Sequence, residues 1–258
     1  MTTHGLHLTE SGTGPAVLWL HGYTMDSTLW QPLWDLLPGW RHIGADLPGH
    51  GRSGPCPPGL TLPRLADRLA LVAEETGARR LVGLSFGSTS ALQLAMQRPD
   101  LVQRLVVAAP TLAGTANDPA AEQRYKQLTL LYRLTGPGEH LTDLWMTAPP
   151  DIFRGTESHP ELRRSVRDTV LRHRWAELAD GSMDTLTAHR HSRADLHSIS
   201  AATLAVVGTE DMPAFTANAE LLRAEVPGCR VLTVPDTGHL PLLERPEAVA
   251  GRLAAHLR

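Results

Sequence analysis

Short, largely apolar runs recur along the first part of the chain, at Val17 to Leu20, Trp40 to Ala45, Arg80 to Leu84 and Leu105 to Ala109. Apolar runs this short, bounded by Gly, Pro or charged residues, predict strands buried on both faces. Between them the period changes. From Leu62 to Thr76 the apolar positions are 62, 65, 66, 69, 70, 72 and 73, a helical spacing, and Gly77 follows as a C-cap. Ser88 to Met96 predicts another helix, stopped at Pro99. Strands alternating with helices predict parallel βαβ units.

From Thr111 to Leu196 the pattern is helical throughout, with segments at 120–134, 138–146, 160–179 and 182–189. The alternation then resumes: a strand at Thr203 to Val207, a helix at Phe215 to Glu225, a strand at Val231 to Val234 and a last helix from Pro246 to Leu257. The expected organisation is a single discontinuous α/β core, residues 1–110 and 197–258, interrupted by a helical insertion at 111–196.

The turns between these elements carry chemistry. Gly83-Leu84-Ser85-Phe86-Gly87 joins a predicted strand to a predicted helix, the context that makes a G-x-S-x-G run a nucleophile elbow. Ser85 stands at the helix N-terminus, where free N–H groups favour negative charge. Leu18-Trp19-Leu20-His21-Gly22-Tyr23 is a strand entering a His-Gly turn. Asp46-Leu47-Pro48-Gly49-His50-Gly51-Arg52-Ser53 is a strand end followed by a Gly/Pro loop. Asp236-Thr237-Gly238-His239 precedes Leu240-Pro241-Leu242-Leu243-Glu244-Arg245-Pro246-Glu247 near the end of the chain. In this combination, order and spacing, the chain resembles the α/β-hydrolase family over nearly its whole length. The resemblance implies an α/β fold with a mostly parallel central sheet flanked by helices, and a helical cap formed by the insertion.

A serine hydroxyl needs a neighbouring imidazole to take its proton during attack, and a carboxylate to fix the imidazole tautomer. The chain order for this fold is Ser, then Asp or Glu, then His. Ser85, Asp211 and His239 supply it, each at the C-terminal edge of a predicted strand, where open α/β sheets form their sites. Glu210 is a rival acid; the Gly208-x-x-Asp211 spacing matches the family and favours Asp211. The backbone N–H of Phe86, directly after the nucleophile, is the first expected oxyanion donor. The resemblance gives the N–H of Tyr23 as the second, and His21, His50 and Asp46 as loop braces. There is no His-Gly-Gly-Gly run, so the lipases built on that version are not the relatives implied. Ser88 stands where many relatives have glycine after the elbow, and is small enough to keep it. Within the insertion, Trp145, Phe153 and Trp175 are candidate walls of an apolar substrate pocket, or packing residues that seat the insertion. Trp30 and Trp34, four apart on a short helix, read as core.

Composition narrows the classes. A net charge of −3 and scattered basic residues give no electrostatic case for nucleic acid or an anionic membrane. No apolar stretch approaches the roughly 18 residues a spanning helix needs, and the N-terminus lacks a basic segment followed by an apolar one. A cytoplasmic location is expected. Cys56 and Cys229 have neither metal-ligand spacing nor the count of a disulfide framework. The 13 histidines show no H-E-x-x-H pattern, so neither metal nor cofactor is expected. The expected partner is a small-molecule substrate, and oligomeric state is left open.

A serine in the elbow, rather than aspartate, sets aside the haloalkane and epoxide chemistries of the resembled superfamily. The expected reaction is hydrolysis of a carboxylic ester, lactone or thioester through an acyl-enzyme on Ser85. In pattern the chain looks most like enol-lactonases, small carboxylesterases and cofactor-free haloperoxidases. Two alternatives stand beside it. One is C–C bond hydrolysis or a lyase or cyclase reaction by the same triad, for which His189, Arg190, His191 and Arg193, which read first as an exposed polar helix end, could supply polar groups in the cap. The other is a ligand-binding, receptor-like protein on a hydrolase fold.

Overall fold

The computed structural model describes residues 2–115 and 118–258. Its centre is an eight-stranded sheet: β1 (Thr2–Thr3), β2 (Leu6–Ser11), β3 (Ala16–Leu20), β4 (Arg41–Ala45), β5 (Arg80–Leu84), β6 (Arg104–Ala108), β7 (Ala202–Gly208) and β8 (Arg230–Val234). The spatial order is β1-β2-β4-β3-β5-β6-β7-β8. β1, β2 and β4 pair antiparallel, and every pair from β4 to β8 is parallel. The apolar runs predicted the parallel strands. The β1–β2 hairpin was not anticipated, because only Leu6 and Leu8 turn inward and the intervening polar residues dilute the signal.

Alternate residues of each strand feed two separate core layers. Leu18, Leu20, Leu81, Leu105 and Val107 pack against α2 (Leu62–Thr76), α3 (Phe86–Gln97) and α10 (Pro213–Glu225). Val17, Trp19, Val82, Leu84 and Val106 pack against α1 (Gln31–Asp35) and α11 (Pro246–Leu257) on the other face. Trp30 and Trp34 lie in this second layer, with ring centroids 5.2 and 6.1 Å from Trp19. Burial on both faces explains why the strands lack polar alternation. α2 begins with Thr61 accepting from the Arg64 N–H and ends at Gly77, which takes the left-handed conformation expected of it (φ 68°).

Between β6 and β7 the described residues form helices and no strand: α4 (Pro119–Thr135), α5 (Glu139–Met146), a 3-10 segment (Asp151–Ser158), α6 (Pro160–Arg172), α7 (Glu177–Asp180), α8 (Asp184–Thr187) and α9 (Arg193–His197). The helix expected over 160–179 is interrupted after Arg172. His173, Trp175 and Glu177 are all buried, and side chains two apart cannot share one face of a helix. The chain therefore leaves the helix, with Trp175 at φ 58°, and restarts at α7. The helix expected at 182–189 contracts to α8, and His189 to Ser192 run free of helix into a capping box that opens α9. No helix is long and apolar enough to cross a membrane among the described residues.

The order of the sheet reverses at β3, with β4 on one side and β5 on the other. That switch point opens a crevice at the C-terminal edge, where the loops after β3 and β5 lie side by side. The turn after β5 is held at close range. A Cβ on Gly87 would collide with the carbonyl oxygen of Leu20 in β3, and one on Gly83 would sit 2.5 Å from the Gly87 oxygen. Gly87→Ala is expected to destabilise the fold by at least about 2 kcal/mol, measured by urea unfolding. An unchanged midpoint would mean that the elbow can shift away from β3.

Candidate functional site

Ser85 leaves β5 at φ 52°, ψ −116°, a strained conformation for a residue with a side chain. The turn is tied on both sides. The Ser85 N–H donates to the Ala108 oxygen at 2.9 Å, and its own oxygen accepts from the Ser88 N–H at 2.8 Å. Ser88 does more than stay small. Its hydroxyl donates to the Ser85 oxygen at 2.6 Å and accepts from the Thr111 N–H at 2.9 Å, stitching the elbow to the loop after β6. Glycine at this position has no such hydroxyl.

Three separated residues meet here. Ser85 Oγ lies 2.9 Å from Nε2 of His239, and Nδ1 of His239 lies 3.0 Å from Oδ1 of Asp211. The loops after β7 and β8, which are paired neighbours, deliver Asp211 and His239. The His239 ring is fixed edge-on to Phe215 at 4.2 Å between centroids. Oδ1 of Asp211 also accepts from the Met212 N–H at 2.8 Å, while Oδ2 is buried without a hydrogen-bond partner. Glu210, the rival acid, is exposed, and its backbone N–H donates to the Thr237 oxygen.

Tyr23 and Phe86, whose N–H groups are the expected oxyanion donors, line one cavity with Ser85. Neither the Tyr23 nor the Phe86 N–H makes a hydrogen bond among the described residues. The Gly22–Tyr23 peptide is fixed by its neighbours. The Gly22 carbonyl accepts from the Met25 N–H at 3.1 Å and lies 2.8 Å from Nδ1 of His21. Nε2 of His21 accepts from the Leu47 N–H at 2.9 Å, so the ring proton resides on Nδ1 and points at Gly22. In a trans peptide the C=O and the following N–H point oppositely, so anchoring the Gly22 oxygen turns the Tyr23 N–H the other way. Burial pushes the His21 pKa down, which keeps the ring neutral. His50 packs beneath, 5.7 Å from Tyr23 and 6.0 Å from Phe86 between ring centroids. Burial, with the nearby His173 and His21, holds it well below the usual histidine range. Asp46 accepts from the Ser27 and Arg52 N–H groups at 2.8 and 2.9 Å and so braces the adjoining loop.

A cavity of about 460 Å³ opens above Ser85. Phe86, Trp145, Ile152, Met183, Met212 and Phe215 form most of its apolar wall. Trp145 is held in place by an Nε1–H bond to Thr24 Oγ1 at 2.8 Å. Phe153 and Trp175, the other aromatics considered for this wall, do not line it. They stand behind Trp145, with centroids 5.8 and 6.4 Å away. His189, Arg190, His191 and Arg193 do not line it either. His191 is turned to Gln93 and the Ala113 N–H, and Arg193 pairs with Glu225.

Two buried carboxylates were not singled out from the sequence. Glu244 Oε1 and Oε2 accept from the N–H groups of Leu240 and Gly238, at 3.0 and 2.6 Å, clamping the loop on either side of His239. Its signal was an acid directly after the apolar pair Leu242-Leu243. Glu177 Oε1 accepts from the Tyr23 hydroxyl at 2.5 Å and lies 2.9 Å from Nε2 of His173, linking α7 to the loop after β3. The two groups titrate oppositely. Burial raises the Glu244 pKa and its two amide donors do not offset this. Burial raises that of Glu177 too, but hydrogen bonds from His173 and Tyr23 outweigh it, and the net shift is downward. Among the described residues no group of three His, Cys, Asp or Glu is arranged to hold a metal ion.

This fold and this edge-of-sheet arrangement define an α/β hydrolase, and the chain belongs to the alpha/beta hydrolase family, whose model matches residues 17–252. It is similar to a pimeloyl-[acyl-carrier protein] methyl ester esterase from Nitrosomonas europaea, 28% identical over 249 residues, covering 94% of this chain and 95% of that one. Among solved structures it is similar to a thermophilic esterase from Thermogutta terrifontis, 27% identical with a TM-score of 0.80, covering 97% and 92% of the two chains. An enol-lactonase from Burkholderia xenovorans shares the fold at 22% identity and a TM-score of 0.80, covering 98% and 96%.

Glu244→Ala leaves two buried N–H groups beside His239 without an acceptor, and is expected to lower stability by about 2–5 kcal/mol in urea unfolding. A loss under about 0.5 kcal/mol would mean that water replaces the carboxylate. A second expectation concerns acid. Below about pH 6.5 the unfolded chain binds protons that His21 and His50 refuse when buried, so stability falls as pH falls through this range. Glu244 opposes this only nearer the carboxylate range. Calorimetry should show the melting temperature dropping from about pH 7 to about pH 5.5; a flat profile would contradict the burial of both rings as neutral groups.

Proposed function

We propose that the chain is a serine hydrolase that cleaves the ester bond of a small-molecule carboxylic ester, lactone or thioester, with Ser85 as nucleophile, His239 as general base and acid, and Asp211 as the orienting carboxylate. The observation that carries the reading is the hydrogen-bonded line from Asp211 Oδ1 through His239 to Ser85 Oγ, at 3.0 and 2.9 Å, beneath a cavity with two free N–H groups. The names of the similar proteins, a methyl ester esterase and a thermophilic esterase, support ester cleavage.

As Ser85 Oγ attacks the carbonyl carbon, its proton passes to His239 Nε2. Asp211 keeps the Nδ1–H tautomer in place and stabilises the imidazolium. The carbonyl oxygen becomes an oxyanion between the N–H groups of Tyr23 and Phe86, and each such donor lowers the barrier by about 2.7–4 kcal/mol. Collapse expels the alcohol or thiol, which takes the proton from His239 and leaves an acyl ester on Ser85. Water, deprotonated by the same imidazole, then releases the acid and restores Ser85. The helices between β6 and β7 act in this reading as a cap, with Trp145 as its contribution to the pocket wall. The C–C and lyase alternatives drew on His189, Arg190, His191 and Arg193, and none of these reaches the cavity.

The test is a panel of aryl esters of increasing acyl length, a thioester and lactones, assayed with wild type and variants side by side. Ser85→Ala should abolish turnover with the fold intact. Asp211→Asn should lower the rate by about four orders of magnitude, because the wrong imidazole tautomer becomes favoured. Glu210→Gln should be near wild type. Wild-type rates in Ser85→Ala would refute the mechanism, and a large loss in Glu210→Gln would reassign the acid.

A further inference from the structure

The cavity above Ser85 is apolar within but electrically one-sided at its mouth. Among the described residues Asp118, Glu122 and Asp184 line it, against one lining cation, Lys126. Asp118 is partly met by the Ala120 and Ala121 N–H groups at the start of α4, at 2.8 and 3.0 Å. Glu122, Lys126 and Asp184 form no ion pair among the described residues. The negative charge continues behind the wall. Glu177 is buried against the Tyr23 hydroxyl, and Tyr125, a lining residue, feels the carboxylates of Glu177, Asp184 and Asp180. Burial and those charges push its phenol up to about 12. The rings that face the cavity, Tyr23, Tyr125 and Trp145 among them, present surfaces that attract cations.

We propose that this cavity selects esters whose distal end is neutral or carries an ammonium group, and rejects esters with a distal carboxylate or phosphate, including acyl chains on a phosphate-bearing carrier arm. The proposal rests on the ester-hydrolase reading of Ser85 and adds its substrate class. The apolar wall takes the chain, and the surplus of carboxylates sets the sign of what the chain can end in. Glu122, Asp184 and Lys126 stand exposed at the rim, so an anionic end entering the cavity must pass a net like charge that salt can screen. An ammonium end meets Glu122 and Asp184 and the aromatic rings instead.

The test compares two matched sets of esters. One varies the acyl arm as hexanoate, ω-aminohexanoate and adipate monoester on a common aryl alcohol. The other places the same three ends on the alcohol arm of a common propanoate. In the set whose charged arm occupies the cavity, kcat/KM should fall by about tenfold from the neutral to the carboxylate member, with the ammonium member at or above the neutral one. The gap, read as the ratio of the two rates within each enzyme, should narrow in high salt and in the double variant Glu122→Lys with Asp184→Lys. Carboxylate members as fast as the neutral ones in both sets would overturn the proposal while leaving the hydrolase reading in place. No turnover of either neutral ester would remove that reading and the proposal together.

Discussion

Holding a side chain at φ 52°, ψ −116° is costly unless the surroundings impose it, and the elbow at Ser85 is built on that constraint. Gly83 and Gly87 bring β3, β5 and the start of α3 closer than side chains there would permit. The closeness places the loop after β3 beside Ser85, with Gly22 near enough that a Cβ on it would lie 3.6 Å from the Ser85 Cβ. It also sets the N–H of Phe86 next to the hydroxyl. The strain of one residue, of order 1–3 kcal/mol, is thus held by the packed strands around it.

Around that point the molecule works largely by anchoring backbone. His21 holds the Gly22 oxygen, Ser88 holds the Ser85 oxygen, and Glu244 holds the N–H groups on both sides of His239. Each anchor spends a buried polar side chain on an element that would otherwise be a mobile loop. Tyr23 extends the pattern into the insertion. Its ring sits among Trp145, Trp175 and His173, and its hydroxyl is bound by Glu177. The residue proposed to supply an oxyanion donor is therefore held from both sides, by the His21-anchored turn after β3 through its backbone and by the helices between β6 and β7 through its side chain.

Much of this was legible in the sequence because it is local. Strands buried on both faces show as apolar runs, α2 shows its period and both caps, and the elbow shows as glycines flanking a serine between strand and helix. The order Ser85, Asp211, His239 was readable because each follows one of the strands β5, β7 and β8, which run parallel and end at one edge. What was not legible depends on packing between distant segments. Whether Phe153 and Trp175 face the cavity or stand behind Trp145 is decided by how α5 and α6 meet, and a linear pattern does not encode that. The break after Arg172 follows from burying His173, Trp175 and Glu177 together, and the helical pattern of 160–179 conceals it. The cap division at residues 111–196 remains a proposal, for the helices there contribute to both core layers rather than to a core of their own.

Three buried carboxylates, Asp211, Glu177 and Glu244, surround a site proposed to develop an oxyanion, which at first sight is the wrong sign. Attack, however, moves a proton from Ser85 to His239 as the oxyanion forms, so the net charge of the site is unchanged. The surrounding negative field then acts on the separation of two opposite charges rather than on a net anion. It stabilises the imidazolium, which lies against Asp211, and leaves the oxyanion to N–H dipoles that need no counter-charge. A substrate with its own distal anion is different, because it adds net charge to the same field at every stage, bound and reacting alike. The arrangement that is neutral toward the chemistry is therefore selective toward the ligand, and that asymmetry is what ties the acidic mouth of the cavity to the choice of substrate.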